Sequence, residues 1–391
     1  MAEHTRLERP MPTLSTTVDP RSPSYVDTRQ ALLARLDELD EAVAAARGRY
    51  PTVAHERVEL LLDRDAPFLE LCPIAGWGTE SRPGAGIVGG IGRVEGVECV
   101  LLATDPPSGA ASEPAAAKKA HRIGEIAAEN RLPLIQLLDG AGTATAPEVL
   151  RDLARAGTLP RIAVLFGNGE QATLADYTIA VRGGPADFVA EDERDAIRLT
   201  RLCVRRVAPA RPEPGGPGRP PGGPGTPPRY EVDDLLGLGS ADAREILARV
   251  LDGSELDEFQ PRHGAGLVAG WGELHGYPVG VLAMMRYGEA ETVKAAEFVR
   301  RAGNPLVFLD NGVATDPRLV EAVATSPVPH LRVELAAGTG RAYRPRFVFR
   351  WPHSQALERS GRLHDDGVLD PRDTRTALGI ALSAVHSGGL Q

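Results

Sequence analysis

A glycine-patterned stretch of 22 residues that occurs twice constrains the fold of this chain more than any other feature. The stretch runs from Gly84 to Asp105 and returns from Gly264 to Met285, with nine identical positions, of which five are glycine. Each copy predicts two short strands joined by a turn, at Val94–Val97 and at Leu274–Tyr277, because glycine adopts positive φ at little cost. The apolar run after each turn is typical of a strand that is buried on both faces.

The similarity between the two copies extends beyond the glycine-rich stretch on both sides. Both copies predict the same order of elements: short helix, hairpin, helix, strand, helix, strand. Two unrelated hairpins would need several coincidences in the same order, so we interpret the chain as a duplicated α/β domain. The matching segments are residues 57–63 with 246–252, 132–139 with 304–310, and 159–165 with 328–334.

Composition bounds the class of protein. The chain has 391 residues, which suggests two domains, and its net charge of −9 disfavours nucleic acid as a partner. No apolar run is long enough to span a membrane and no signal peptide is evident, which predicts a soluble, cytoplasmic protein without a membrane partner. Cys72, Cys99 and Cys203 lack metal-ligand spacing and indicate reduced thiols, and Cys99 lies in an apolar run where cysteine acts as a small hydrophobe.

Proline and glycine mark the predicted domain boundaries. Residues 208–229 contain nine prolines and six glycines, which predicts an interdomain linker without regular structure. The prediction is a flexible tail over 1–26, a first domain over 27–207 and a second domain over 230–391.

Two groups of polar residues suggest binding or catalysis. Lys118, Lys119 and His121 lie near the start of a helix predicted over Ala115–Asn130, where positive charge opposes the helix dipole and could attract a phosphate; an exposed basic face without a ligand is equally open. Asp139 and Asp310 end equivalent strands, where helix capping is favoured over a general-base role.

Longer motifs carry a resemblance to a known family. The chain resembles the carboxyltransferase β subunit of biotin-dependent acyl-CoA carboxylases of the methylcrotonyl-CoA, geranyl-CoA or propionyl-CoA type. This resemblance implies a tandem crotonase-like (ClpP/crotonase) fold, each half a spiral of ββα units, in an oligomer that moves carboxyl from carboxybiotin to the α- or γ-carbon of an acyl-CoA. It implies no covalently bound cofactor, since biotin is carried by a partner subunit, and no metal. The matching stretches are FLELCPIAGWG, GAGIVGGIGRVEGVECVLLATD, KKAHRIGEIAAENRLPLIQLLDGAG, DYTIAV, GSELDEFQPRHGAGLVAGWGELHGYPVGVLA, NPLVFLDN, GRAYRPRFVFRWP and DDGVLDPRDTRTALGIALSA.

The resemblance also implies positions for the site. Enolate formation beside a thioester needs backbone N–H donors aimed at the developing oxyanion. The glycine-rich stretches that would supply them contain Gly167 and Gly169 in the first half, and Gly338 and Gly340 in the second. The residues implied to contact the substrate are Ser108, Gly109, Ala110, Lys118, Lys119, His121, Gly140 and Gly142.

The same loops depart from the family pattern. Gly167–Ala175 replaces a Gly-Gly-Ala-Tyr-like stretch, a longer glycine-rich stretch is reduced to Ala336–Gly340, and a long lid is reduced to Arg182-Gly-Gly. Losing one oxyanion donor typically costs about 3–4 kcal/mol of transition-state stabilisation, so we expect weak or absent carboxyl transfer to propionyl- or methylcrotonyl-CoA.

Two hypotheses about function stay open. The chain is a shortened carboxyltransferase that acts with a biotin carboxylase or biotin carrier subunit, or performs related enolate chemistry such as decarboxylation. Alternatively it is a degenerate, non-catalytic homologue that pairs with an active paralogue.

Overall fold

Helices and strands alternate along the chain. The computed structural model describes residues 11–48, 52–105, 114–139, 159–167, 175–184, 186–207, 225–239, 242–286, 288–311, 316–337 and 345–388. The α-helices are α1 Pro23–Arg47, α2 Val53–Leu61, α3 Pro114–Glu129, α4 Glu193–Val207, α5 Leu235–Leu238, α6 Ala243–Val250, α7 Glu289–Arg300, α8 Pro317–Ala324, α9 Ala356–Gly361 and α10 Thr374–Ser387. The strands are β1 Leu69–Glu70, β2 Ile87–Val94, β3 Val97–Thr104, β4 Leu134–Leu138, β5 Arg161–Leu165, β6 Tyr177–Val181, β7 Phe188–Ala190, β8 Asp257–Glu258, β9 Leu267–Leu274, β10 Tyr277–Met284, β11 Leu306–Asp310, β12 His330–Glu334, β13 Phe347–Arg350 and β14 Gly367–Val368.

The strands form two sheets of seven with the same design. The first sheet follows sequence order from β1 to β7; β1, β2 and β3 pair antiparallel, and β3 to β7 pair in parallel. The second sheet has the order β14-β13-β12-β11-β10-β9-β8, again with an antiparallel hairpin and parallel neighbours. Parallel neighbours require a crossover connection, and α3 and α7 provide it after the two hairpins.

Both predicted hairpin turns are confirmed. Glu95 and Gly96 have φ of 54° and 75°, and His275 and Gly276 have φ of 51° and 72°. Two consecutive positive φ angles are the mark of a type I′ turn, whose twist matches that of the flanking strands. The predicted burial of the following strands is also confirmed. Strands β3 and β10 have eight residues each, and six of the eight are buried in each strand.

In each copy, an aspartate that follows the preceding helix accepts hydrogen bonds from the hairpin turn. The carboxylate of Asp63 accepts hydrogen bonds from the N–H groups of Glu95 at 2.8 Å and Gly96 at 2.7 Å. Asp252 accepts the equivalent bonds from the turn of the second hairpin, at 2.9 and 2.8 Å. An arginine pairs with each aspartate, Arg201 at 3.4 Å and Arg375 at 2.7 Å. The duplication therefore extends to side-chain hydrogen bonds.

Close backbone packing explains a repeated glycine within the strands. A Cβ on Gly90 would lie 2.3 Å from the carbonyl oxygen of Leu69, and a Cβ on Gly270 would lie 2.5 Å from that of Asp257. Both distances are shorter than any tolerable contact, so only glycine lets β1 and β8 approach the hairpins.

By its contacts the chain divides into two compact units. One comprises residues 1–32, 221–344 and 371–375, and the other comprises 33–220, 345–370 and 376–391. We call them the minor unit and the major unit. The predicted domain boundaries at 207 and 230 stay a prediction, and residues 208–224 of the predicted linker lie outside the described residues.

Part of the predicted flexible tail is bonded within the minor unit. Leu14 donates its N–H to the carbonyl of Ser254 at 2.8 Å, and the N–H of Thr17 reaches the carboxylate of Glu245 at 2.7 Å. Polar composition alone could not show this, because the partners lie more than 200 residues away in sequence. Helix α1 begins at Pro23, within the predicted tail 1–26.

An ion pair with α3 connects segment 345–370 to the rest of the major unit, and a second, buried ion pair lies within the segment. Arg122 of α3 donates to both carboxylate oxygens of Asp366, at 2.6 and 2.9 Å, and Asp366 also accepts the N–H of Val348 at 2.7 Å. Arg350 pairs with Asp365, and both side chains are fully buried. Burial raises the pKa of Asp365 against the opposing charge of Arg350.

Candidate functional site

The carboxyl ends of the parallel strands mark the candidate site in the major unit. Strands β3 to β7 are parallel, so the residues that follow them meet at one edge of the sheet. Open α/β sheets bind ligands in the crevice at this edge. The described residues that directly follow β3, β4, β5 and β6 are Asp105, Asp139, Phe166 with Gly167, and Arg182.

Arg57 lies at the centre of this edge. It belongs to the buried face of α2, and its side chain is 4% exposed. Its guanidinium donates to Asp139 at 2.7 Å and makes a two-point contact with Glu193, at 2.6 and 3.3 Å. The guanidinium carbon also lies 3.7 Å from the centre of the Phe166 ring, which is a close cation–π contact. Burial by itself lowers the pKa of Arg57, but the hydrogen bonds that it donates to Glu193 and Asp139 raise it overall.

A cleft of about 370 Å³ opens beside this cluster. Gly167 and the arginines at positions 182 and 194 are exposed, whereas Phe166 is half-buried. Asp192 caps the following helix by accepting the N–H of Asp195 at 2.8 Å, so the positive end of α4 faces the same edge. The cleft is lined by Phe166, Val181, Arg182, Asp192, Glu193 and Arg194.

The predicted basic residues of α3 do not share one environment. Lys118 and His121 are exposed, whereas Lys119 is fully buried and donates to the backbone carbonyls of Ile87 at 2.6 Å and Gly84 at 3.4 Å. Burial lowers the pKa of Lys119. The alternative of an exposed basic face is therefore wrong for this residue. Lys294 of the second copy makes the equivalent bond to Leu267 at 2.9 Å.

Most of the glycines implied by the resemblance lie outside the described residues. Of the predicted oxyanion donors, Gly167 lies at the end of β5 and is exposed. The other predicted positions lie outside the described residues and stay predictions: Ser108, Gly109, Ala110, Gly140, Gly142, Gly169, Gly338 and Gly340.

Asp139 and Asp310 end equivalent strands but not at equivalent positions. Ala103 pairs with Leu137 in the first sheet, and its counterpart Ala283 pairs with Leu309 in the second. Asp310 therefore corresponds to Leu138, one residue before Asp139. Because side chains alternate between the faces of a strand, the two carboxylates lie on opposite sides of their sheets.

The favoured capping role is wrong for Asp310. Its two carboxylate oxygens accept from Arg332 at 2.8 and 3.0 Å, and both side chains are 2% exposed. The next helix, α8, is instead capped by Asp316. In the first sheet, the carboxylate of Asp139 accepts from Arg57.

A second polar cluster lies around Glu70 on β1. Its carboxylate is 2.9 Å from Arg47 and 3.6 Å from the ring of His55, and it is 12% exposed. Burial by itself raises the pKa of Glu70, but His55, the charge of Lys119 and the bond from Arg47 lower it to about 2. Glu70 is therefore a carboxylate at neutral pH.

The cysteines have no surroundings that would activate them. Cys72, Cys99 and Cys203 are free and buried, and burial raises the pKa of each thiol. Within the described ranges, histidine, cysteine and acidic side chains form no group of three or more that could hold a metal ion. No helix in the described part of the chain has the length and apolar character needed to cross a bilayer.

Sequence reasoning missed Arg57, Phe166 and Glu193. A signal for Arg57 was present, because α2 buries Ala54, Val58 and Leu61, and position 57 falls on the same helical face. A charged residue on an apolar face must find a partner, which predicts a buried ion pair. The partners themselves lie 82 and 136 residues further along the chain, and no local pattern identifies them.

Comparison with known proteins gives a consistent result. Residues 45–168 and 169–312 match the carboxyl transferase domain family. A Mycobacterium tuberculosis (strain ATCC 25618 / H37Rv) protein named "Probable biotin-dependent acyl-coenzyme A carboxylase beta2 subunit" is 32% identical over 527 positions, covering 97% of this chain and 98% of the relative. The mitochondrial methylcrotonoyl-CoA carboxylase beta chain of Dictyostelium discoideum is 28% identical, covering 95% of this chain and 88% of the relative. The crystal structure of the geranyl-CoA carboxylase beta subunit of P. aeruginosa has a TM-score of 0.78 at 26% identity and covers 97% of this chain and 98% of that one.

Proposed function

The chain belongs to the carboxyl transferase domain family, and on that premise we propose that it transfers a carboxyl group from biotin on a partner protein to an acyl-CoA. Its fold is the tandem crotonase-like α/β fold of that family, as the sequence predicted. The observation that carries the proposal is the match over nearly the whole length of the chain and of its β-subunit relatives.

The proposed reaction makes one demand on this chain. A proton leaves the carbon next to the thioester or its vinylogous γ-carbon, and negative charge develops on the thioester oxygen. The enolate carbon then attacks the carboxyl carbon of the carboxybiotin on the partner protein. The bond between that carboxyl carbon and the biotin nitrogen breaks, and the nitrogen keeps the electron pair and takes up a proton. The chain must therefore supply N–H donors to the oxygen, and preorganised donors are usually the largest single contribution to such a rate.

We assign the first of these donors to the backbone N–H of Gly167. It follows β5 at the edge where ligands bind in open α/β sheets, beside the cleft lined by Phe166 and Arg182. Gly169, Gly338 and Gly340 complete the proposed set. The residues proposed to contact the substrate are those implied by the resemblance other than Lys119, whose ammonium group is buried and bonded to backbone carbonyls. Lys118 and His121 are exposed, and the ring of His121 lies 3.0 Å from the carboxylate of Glu125.

A specific observation favours a second function. The alignment with the Mycobacterium relative extends over 527 positions, although this chain has 391 residues, so the relative carries segments that this chain lacks. A non-catalytic homologue that pairs with an active paralogue would tolerate such losses. Related acyl-CoA chemistry that needs no biotin, such as decarboxylation, would tolerate some of them.

One experiment separates these functions. The purified chain is mixed with a biotinylated carrier and a biotin carboxylase, and labelled bicarbonate is followed into propionyl-, methylcrotonyl- and geranyl-CoA, with binding of each thioester measured by calorimetry. We expect binding, with turnover below that of a full-length β subunit. Binding without transfer, together with pull-down of a paralogue, would support the second function. Loss of carboxyl from a malonyl-type thioester without biotin would support decarboxylation, and absence of any binding would refute an acyl-CoA role.

A further inference from the structure

Arg57 connects three elements at this edge of the sheet. Asp139 follows β4, Phe166 follows β5, and Glu193 begins α4, and each contacts the same guanidinium. The bonds are short, at 2.6 to 2.7 Å to the two carboxylates, and the arginine is 3% exposed. Charge-assisted bonds strengthen when they are shielded from water, which favours the bond to Asp139, whose side chain is 17% exposed, over the bond to Glu193, whose side chain is 51% exposed.

Backbone hydrogen bonds at this edge act together with the contacts of the arginine. The N–H of Asp139 donates to the hydroxyl of Thr104 on β3 at 2.9 Å, and the N–H of Phe166 donates to the carbonyl of Leu138 at 2.9 Å. Arg57 therefore fixes the side chains at the ends of β4 and β5, while these bonds fix their backbones. Gly167 directly follows Phe166, whose ring lies on the guanidinium of Arg57.

We propose that Arg57 is a positioning residue for the reaction edge, orienting the Gly167 N–H through the Phe166 ring and the Asp139 carboxylate. The proposal rests on the proposed function, because it assigns a task to Gly167. It has a physical requirement that a lysine would not meet. The flat guanidinium bonds two carboxylates and lies against a ring at the same time, whereas an ammonium group is a point charge without a planar face.

Arg201 of α4 offers a matched control in the same unit. It donates to the carbonyl of Leu62 at 2.6 Å and lies 3.4 Å from Asp63 and 3.2 Å from Glu95. These partners surround the turn of the first hairpin, at the opposite end of β3 from the reaction edge. Removing Arg201 should therefore cost folding stability without disturbing Gly167.

The test compares Arg57→Ala, Arg57→Lys, Phe166→Leu and Arg201→Ala in the full chain. Amide exchange is measured over residues 159–167, together with kcat and KM for the best thioester. For Arg57→Ala we expect faster exchange at Phe166 and Gly167 and a fall in kcat of up to about a hundredfold, with KM changed much less, because a small misplacement is that costly. Millimolar guanidinium should partly restore kcat in Arg57→Ala, and Arg57→Lys and Phe166→Leu should lie between it and the wild type.

The outcomes separate this proposal from the proposed function. A wild-type chain without turnover would refute the proposed function, and the exchange data would still decide whether Arg57 orders residues 166–167. Unchanged exchange in Arg57→Ala would overturn the positioning role. Equal effects of Arg57→Ala and Arg201→Ala on kcat, or absence of guanidinium rescue in an active chain, would reduce Arg57 to a structural ion pair. If Arg57→Ala does not fold, Arg57→Lys is compared with the wild type and Arg201→Ala in its place.

Discussion

Buried charged side chains in this protein are matched by specific partners, and Glu70 shows what such matching contributes. The folded-state pKa of about 2 lies below the ordinary value of 4.5. The carboxylate therefore stabilises the fold fully above about pH 4.5, and this contribution is lost as the pH falls through the folded-state pKa. A difference of this size corresponds to about 3 kcal/mol of unfolding free energy.

Glu70→Gln should remove this pH-dependent contribution. We expect the free energy of unfolding to fall by about 2–3 kcal/mol at pH 7, and the difference from the wild type to vanish near pH 2. Chemical denaturation at a series of pH values measures it. Glu258 occupies the same position on β8, but among the described residues it has one ion-pair partner, Arg244, whereas Glu70 has both Arg47 and His55. Glu258→Gln should therefore cost less than Glu70→Gln, about 0–1 kcal/mol. Equal costs for the two variants would contradict this explanation.

At the level of elements, the duplicated hairpin is secured by an aspartate that receives two backbone N–H groups of the turn. Asparagine offers one acceptor oxygen in place of two, so Asp63→Asn leaves one turn amide without its partner. We expect a loss of about 1–3 kcal/mol for Asp63→Asn and likewise for Asp252→Asn, measured by chemical denaturation.

Asp65 provides the control for this prediction. It lies two residues from Asp63 and its side chain is exposed, so Asp65→Asn should change the unfolding free energy by no more than about 0.5 kcal/mol. A loss in Asp65→Asn as large as that in Asp63→Asn would show that the turn bonds do not matter.

The elements themselves were predictable, because their signals are local. The turn residues, the buried runs of β3 and β10, and helices α3 and α10 follow from glycine placement and apolar periodicity within short windows. The relative register of Asp139 and Asp310 was not predictable, because Asp310 is the last residue of β11 whereas Asp139 lies one residue beyond the end of β4, and only the pairing partners show it. The Arg57 cluster combines residues from three distant segments, and single-sequence reasoning contains no measure of that proximity.

For the whole molecule, the contact-based division differs from the order of the sequence. Segments 345–370 and 376–391 belong to the unit that contains residues 33–220. Within that unit, Arg122 bonds Asp366, Cys72 donates its N–H to the carbonyl of Asp366 at 2.7 Å, and the serines of α10 at positions 383 and 387 donate to Glu98. Without these segments, the half-buried Arg122 would lose its two-point contact with Asp366 and keep only the longer one to Glu125, at 3.6 Å, among the described ion pairs.

A chain divided within residues 208–224 tests this organisation. We expect a fragment ending at residue 207 to lack stable tertiary structure alone, because loss of a buried ion-pair partner costs about 3–5 kcal/mol. Co-expression with a fragment beginning at residue 225 should restore protected amides in β3 and β4. A fragment 1–207 that folds cooperatively alone would instead support the boundary predicted from the sequence.

The ion pair between Arg122 and Asp366 also has a consequence for biosynthesis. The ribosome completes residues 33–207 long before it reaches residue 366, and at ordinary rates of synthesis that interval is on the order of ten seconds or more. Throughout that time the nascent major unit contains the residues of its hairpin and parallel strands but lacks the segment that carries Asp366, the partner of Arg122. Completion of this unit is thereby tied to synthesis through residue 366, and premature termination before that codon would release a product in which Arg122 lacks Asp366.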